Sequence, residues 1–367
     1  MLIVNRREFC ALAAAASLSV LDRTRRPRPS PVRIGVLVPA TSTDRRVRAA
    51  LDGITLGAEE AARTAALFGT DLEVLERYTF GPADPAADAQ SLLDEGVHVL
   101  VSTFGSATAA SLDAFASTRQ RALLHVVAPP PDGQVGTRAP SSWGLYVPPS
   151  AEARAEAVMT ALHEYIEGGD GRPTVDLVGP QEAYDAARAI DTRVAARLRR
   201  TALLDRFPAP PSLASASGGG ILAIAAHDAE SMDSLLPPPE SEDPVVDVFG
   251  VTELLERKRL PRGLMRADAW LPSLERFGAG QLNDRFRARF LGNTGQSAMV
   301  GMTGPAWAGW FAMKAAVETS LRARTGAAGS LRRAILAARF DGHKGTPLAF
   351  TPGGVLTHPL YVTGIDS

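Results

Sequence analysis

The stretch Val97–Ser117, "VHVLVSTFGSATAASLDAFAS", decides how the rest of the chain is read. An apolar β-like run ends on a cluster of small and hydroxyl residues around Gly105, Ser106 and Thr108, and an alanine-rich helical pattern follows at once. A strand that hands over to a helix within a few residues is half of a βαβ unit. The start of such a helix carries unpaired N–H groups and the positive end of a dipole, so it attracts an anion. The plain alternative is that Ser106 is an ordinary N-cap whose side chain satisfies one of those donors.

The same alternation extends in both directions. Upstream, "VRIGVLVPA" from Val32 is a β-branched run, and "VRAALDGITLGAEEAARTAALFG" has helical spacing with a stop at Gly69. "DLEVLERYTF" reads as a strand and "DPAADAQSLLDEG" as a capped helix. Downstream, "RALLHVVAPPP" is a buried strand halted by prolines. A second series begins after "SSWGLYVPPS". It runs through the helical "AEARAEAVMTALHEYIEGG", the strand "TVDLVGP" and the helical "AYDAARAIDTRVAARLRR", then the strands "GGGILAIAAHD" and "DPVVDVFGV". Helices are expected at "SLERFGAGQLNDRFRARFLG" and "GPAWAGWFAMKAAVETSLRAR", and two short β runs around the Pro-Gly-Gly turn of "PLAFTPGGVLTHPLYVTG". The fold class expected is α/β, with two doubly wound Rossmann-like halves built on parallel sheets covered by helices on both faces. Ligands of such sheets bind at the carboxyl ends of the strands, here in the crevice between the halves.

Composition narrows the function. The 367 residues suffice for two cores, and 39 basic residues balance 40 acidic ones. That balance argues against a nucleic-acid binder. No apolar run reaches the ~18 residues of a membrane span. The N-terminus "NRREFCALAAAASLSV" places Arg6-Arg7-Glu8-Phe9 before an apolar stretch and resembles a twin-arginine export signal, with Asn5 where Ser or Thr is usual and no clear small-x-small cleavage site. "DRTRRPRPSP" then reads as a linker. Export would put the protein in the periplasm or another extracytoplasmic space. Cys10 is the one cysteine and lies inside that signal, so neither structural disulfides nor thiol catalysis is expected of the mature chain.

Assembled catalytic chemistry is missing from the pattern. The six histidines form no His-Glu-x-x-His pair, and the sequence has no phosphate-loop glycine-lysine motif and no G-x-S-x-G elbow. No metal, no cofactor and no enzymatic activity are expected. Glu59-Glu60 reads as a solvated helix face, and His227-Asp228 as a strand-end pair.

"VRIGVLVPATSTD", "ALDGITLGAEEAART", "DPAADAQSLLDEGVHVLVSTFGSATAAS" and "TVDLVGPQEAYDAARA" together resemble the type I periplasmic binding proteins, in particular the Leu/Ile/Val-binding group of ABC transporters. A narrower likeness lies in "APPPDG", "RFGAGQLNDRFRARF", "AWAGWFAMKAAVE" and "FDGHKGTPLAFTPGGVLTHPLYV", which are similar to the substrate-binding proteins associated with PQQ-dependent alcohol oxidation. The resemblance implies two lobes joined by three crossover strands and closing over a small molecule by a hinge. It implies a division into an export signal and linker at 1–30, a first lobe at 31–148 plus 253–332, and a reduced second lobe at 149–252 plus 333–367.

The resemblance also implies the site. Ser106, with Thr108 beside it, would hold a ligand carboxylate; Tyr184 would be the second-lobe aromatic, with Asp185 where the family has glycine. His227 stands where a further aromatic is usual, and the acid that pairs with a ligand amine falls near Thr252, with Glu253 next to it. The segment after the fourth strand departs most: Pro129-Pro130-Pro131 replaces a small-small-Thr segment, and proline offers neither hydroxyl nor N–H. The expected ligand is therefore a carboxylate, or an aromatic or polar molecule, other than a standard amino acid. An ABC permease is the expected partner and a monomer the expected state. A ligand-sensing or protein-interaction module of the cell envelope is the alternative, favoured by the short stretch between "RLRR" and "GGGILAIAA", where the family has another strand and helix.

Overall fold

The computed structural model describes residues 30–80, 84–131, 143–168, 175–179, 198–203, 221–224, 245–247, 264–290, 301–323 and 331–363. The first sheet contains β1 (Val32–Pro39), β2 (Leu72–Thr79), β3 (Val99–Ser102), β4 (Leu123–His125) and β5 (Gly144–Tyr146). All pairs are parallel, in the order β2-β1-β3-β4-β5. β1 is buried on both faces over Ile34–Val38, as expected of a central parallel strand. Val32, Ile34, Val36 and Val38 enter one core, while Leu37 enters another with Leu92, Leu100, Leu112 and Leu123. β2 is the edge, and its Glu73, Glu76 and Arg77 suit a strand that must not pair further.

The helices begin where capping chemistry allows. α1 (Arg45–Leu67) starts at Asp44, whose side chain accepts the Arg46 N–H at 2.8 Å, and is followed by Gly69 at φ +71. α2 (Pro85–Asp94) starts at Asp84, with Pro85 in the first turn. α3 (Ser106–Arg119) follows β3.

After β5 the chain crosses to α4 (Ala151–Gly168) and a second sheet containing β6 (Val175–Gly179), β7 (Leu198–Leu203), β8 (Ile221–Ile224), β9 (Val245–Asp247) and β10 (Met265–Asp268). These strands repeat the first sheet's order, β7-β6-β8-β9-β10, all parallel, and β14 (Tyr361–Thr363) adds antiparallel to β10. Two sequence expectations are corrected here. Residues 198–203 form the edge strand that the sequence reading found missing, so the helical reading of "AYDAARAIDTRVAARLRR" ran too far; an edge position tolerates the charged pair Arg199-Arg200 that hid it. Met265–Asp268 pairs in the second sheet, not with the first lobe as a boundary at 253 would have it. Its "MRAD" lacks an apolar run because Arg266 and Asp268 satisfy each other while buried, at 2.6 and 2.7 Å.

The chain then returns to the first sheet. A short 3-10 turn, Arg276–Gly278, contains Phe277 at φ +57, which breaks the single helix expected across this region. α5 (Ala279–Phe290), α6 (Gly304–Ala323) and α7 (Leu331–Ala337) share the core of β1 and α1. A small antiparallel sheet of β11 (Phe340–Asp341), β12 (Pro347–Phe350) and β13 (Leu356–Thr357) precedes the last crossing to β14.

α1 and α6 touch backbone to backbone. A Cβ on Gly53 would lie 1.8 Å from the Ala306 carbonyl oxygen, and one on Gly309 would lie 2.2 Å from that of Ala50. Glu60 accepts from Trp310 Nε1 at 2.9 Å and Arg285 Nε at 2.6 Å, while Glu59 pairs with Arg289 at 2.7 Å. The acidic pair therefore holds α5 and α6 and is not a purely solvated face. Gly53→Ala should lower unfolding free energy by an amount at or above the upper part of the roughly 1–3 kcal/mol typical of overpacking, measured by urea denaturation.

Candidate functional site

In each sheet the strand order reverses beside the first strand, between β1 and β3 in one and between β6 and β8 in the other. Crevices form outside the carboxyl ends at such points. In the first sheet those ends are Pro39 and Ser102, and the chain beyond Ser102 runs directly into α3. Gly105 is the N-cap, in extended conformation (φ −76, ψ −179), with no side-chain cap bond. Ser106 is thus the first helical residue, and the ordinary N-cap reading of it is corrected. Its hydroxyl is exposed and has no hydrogen-bond partner among the described residues. The Gly105 carbonyl takes the N–H groups of Thr108 and Ala109, both at 3.2 Å, so the Ser106 and Ala107 amides precede the first intrahelical bond.

Thr108 does not join Ser106. Two residues apart on a helix means about 200° of rotation, so the two side chains leave on different sides. Thr108 is half-buried, and its amide is already engaged. Tyr184, His227, Thr252 and Glu253 lie outside the described residues. In sequence, Tyr184 follows β6 and His227 follows β8, the two strands flanking the second sheet's reversal. Of the tri-proline after β4, Pro130 is buried and Pro131 is exposed.

The joint between the sheets holds groups that sequence reasoning missed. Arg154, in the first turn of α4, is half-buried. Burial pushes its guanidinium below the ordinary value; Asp268 and Asp247, the last residues of β10 and β9, pull the other way, and Arg266 and Arg46 repel it. Arg46 belongs to α1 of the first sheet, and Asp44 holds it with a shortest contact of 2.8 Å to its amide and 2.9 Å to its guanidinium. No sequence signal marks this cluster, because its members come from four separate elements.

Lys344 occupies the centre of the crossovers. Its buried ammonium donates to the carbonyls of Ala269, just past β10, and Pro359, just before β14. It also lies over the rings of Trp307, Tyr361 and Trp270 at 4.3, 4.7 and 5.9 Å. Burial holds its pKa well below the usual lysine value. His358 packs on Trp307 at 5.0 Å; burial first, then the Lys344 charge, pushes the imidazole down to about 3. Among the described residues no cluster of His, Cys, Asp and Glu could hold a metal, and no helix is long and apolar enough to cross a membrane.

No family model and no curated protein matches the chain. Solved structures do. An ABC transporter substrate-binding protein from Desulfitobacterium hafniense, in complex with Leu, superposes with a TM-score of 0.69 at 14% identity, covering 92% of this chain and 98% of its own. The branched-chain amino-acid transporter substrate-binding protein LivJ from Streptococcus pneumoniae, in complex with isoleucine, gives 0.65 at 13% identity, with 92% and 96% covered. A leucine-binding protein from Thermotoga maritima gives 0.64 at 13% identity, with 91% and 95% covered. The fold is therefore that of the two-lobed type I periplasmic binding proteins.

The His358 shift has a defined sign. Above pH 6.5 the imidazole is neutral in both folded and unfolded chains; from there down to about 3 only the unfolded chain takes up the proton. Stability should fall as pH falls through that window, and His358→Gln should flatten this part of the profile, read by thermal unfolding from pH 7 to pH 4.

Proposed function

We propose that this chain is an exported solute-binding protein of an ABC transporter. It would bind a small carboxylate, or an aromatic or polar molecule other than a standard amino acid, reversibly between its lobes. One observation carries this reading: a helix start with an exposed, unengaged hydroxyl and two amides ahead of the first intrahelical bond stands at the first sheet's strand-order reversal. A carboxylate there gains charge-assisted hydrogen bonds and a favourable dipole. The fold neighbours are named as transporter substrate-binding proteins, which supports the transport reading, an extracytoplasmic location, a permease partner and the absence of catalysis.

The finer points belong to the same proposal. Tyr184, His227, Thr252 and Glu253 would form the second lobe's wall, export would use the twin-arginine route, and the protein would act as a monomer. The likeness to the PQQ-associated subgroup suggests carboxylates formed by alcohol oxidation. The proline run after β4 supports a ligand without an α-ammonium, since an ammonium needs acceptors and proline supplies only its carbonyl. The edge strand Leu198–Leu203 weakens the case for an interaction module, which leaned on that strand's absence.

Calorimetry of the chain from residue 31 onward against benzoate, short aliphatic carboxylates and leucine tests the reading. Binding of a carboxylate without leucine is expected, and Ser106→Ala should weaken it about tenfold or more, the scale of one hydrogen bond to a charged group. Leucine binding with every carboxylate silent would overturn the ligand class.

A further inference from the structure

α3 carries the proposed seat, and the face it buries includes a carboxylate among its apolar residues. The residues it buries are Ala109, Leu112, Asp113 and Ala116. Leu112 and the half-buried Phe115 are the large apolar side chains that α3 packs into the core, and the alanines add little side-chain surface to that contact. The polar member of that face is fixed at two points. Asp113 Oδ1 lies 3.0 Å from His125 Nε2, and Asp113 Oδ2 accepts the Tyr146 hydroxyl at 2.6 Å. His125 and Tyr146 are the last residues of β4 and β5, both fully buried, and their rings stack at 4.6 Å. Since the carboxylate accepts, His125 donates from Nε2, and its Nδ1 has no partner among the described residues.

The surroundings are shaped for this carboxylate. A Cβ on Gly144 would lie 1.7 Å from Asp113 Oδ1, so the approach requires glycine there. Tyr146 is itself anchored, its amide donating to the Gly354 carbonyl at 2.7 Å. Ser106, Ala109 and Asp113 are spaced at i, i+3 and i+7, which puts them along one side of α3. Ala109 packs with Ala128 and Tyr146 between the carboxylate and the helix start.

We propose that Asp113 is the positioning residue of the ligand seat: held by His125 and Tyr146, it sets the rotation of α3 and so the direction of the Ser106 hydroxyl and of the Ser106 and Ala107 amides. This rests on the reading of α3 as the seat. Tyr146→Phe removes one anchor and keeps the ring; Asp113→Asn keeps the shape and puts an amide where a carboxylate accepted.

Two measurements separate this from a merely structural role. Residual dipolar couplings report the α3 N–H vectors against the frame of β1 and α1 without any ligand. In both variants the α3 couplings should leave that frame while the β1 and α1 couplings keep it. Benzoate titration followed at the Ser106 and Ala107 amides reports the seat. Tyr146→Phe should weaken benzoate about fivefold in the wild-type background and less than about twofold beside Ser106→Ala, the signature of coupled sites. Unchanged α3 couplings, or an equal affinity loss in both backgrounds, would overturn the proposal. A wild-type protein whose Ser106 and Ala107 amides ignore benzoate refutes that probe at the seat, while the couplings still decide whether Asp113 orients α3.

Discussion

The backbone contact between α1 and α6 is the constraint on which the two-sheet arrangement depends. α1 follows the first strand, whereas α6 comes after the five parallel strands of the second sheet, so their packing brings the chain back to where it started. Gly53 and Gly309 let the two backbones meet without side chains between them. Glu60 then fixes the register, because one carboxylate accepts both a buried indole N–H and the Arg285 guanidinium. A buried indole without an acceptor would oppose the packing, so the carboxylate satisfies Trp310 and locks α5 and α6 to the same turn of α1. Trp307 and Phe311, on the same helix as Trp310, stack within the core shared with α1.

A return of the chain requires crossovers, and Lys344 shows how they are held. A buried ammonium with no ion-pair partner among the described residues is costly, and here carbonyls and aromatic faces replace the carboxylate. Ala269 and Pro359 lie on different crossover segments, so one ammonium links the two. The link consists of main-chain oxygens, so it does not depend on the surface side chains of either segment.

Much of this architecture was legible in the sequence where local chemistry and tertiary demand coincide. The β-branched run of β1, the capped start of "DPAADAQSLLDEG", the Gly69 stop and the Pro-Gly-Gly turn were each read from a few neighbouring residues. What stayed hidden depends on partners far along the chain. β10 carries a charge at every second residue and lacks an apolar run, and only the structure shows that Arg266 and Asp268 neutralise each other. Glu59 and Glu60 read as a solvated face because their partners at 285, 289 and 310 are some 225 to 250 residues away. Phe277 read as helical because a left-handed aromatic residue has no sequence signature, only a cost that the surrounding fold must impose. Of the candidate site, Ser106 was found from the strand-to-helix handover, but its neighbour Thr108 was grouped with it by proximity in sequence, which a helix turns into separation.

The glycines distinguish what the fold demands from what the site leaves open. Gly53 and Gly309 meet backbone atoms, and Gly144 meets the Asp113 carboxylate, so packing alone accounts for the absence of a side chain at each. Gly105 differs. A Cβ there would meet nothing within 4 Å, and its extended backbone is open to any residue. Neither space nor conformation calls for glycine at the cap of α3. An Asp, Asn or Ser at that position would have turned its own oxygen onto the first amides, as Asp44 and Asp84 do for α1 and α2. Glycine leaves those amides unclaimed by a cap side chain at the first sheet's strand-order reversal, unlike the starts of α1 and α2.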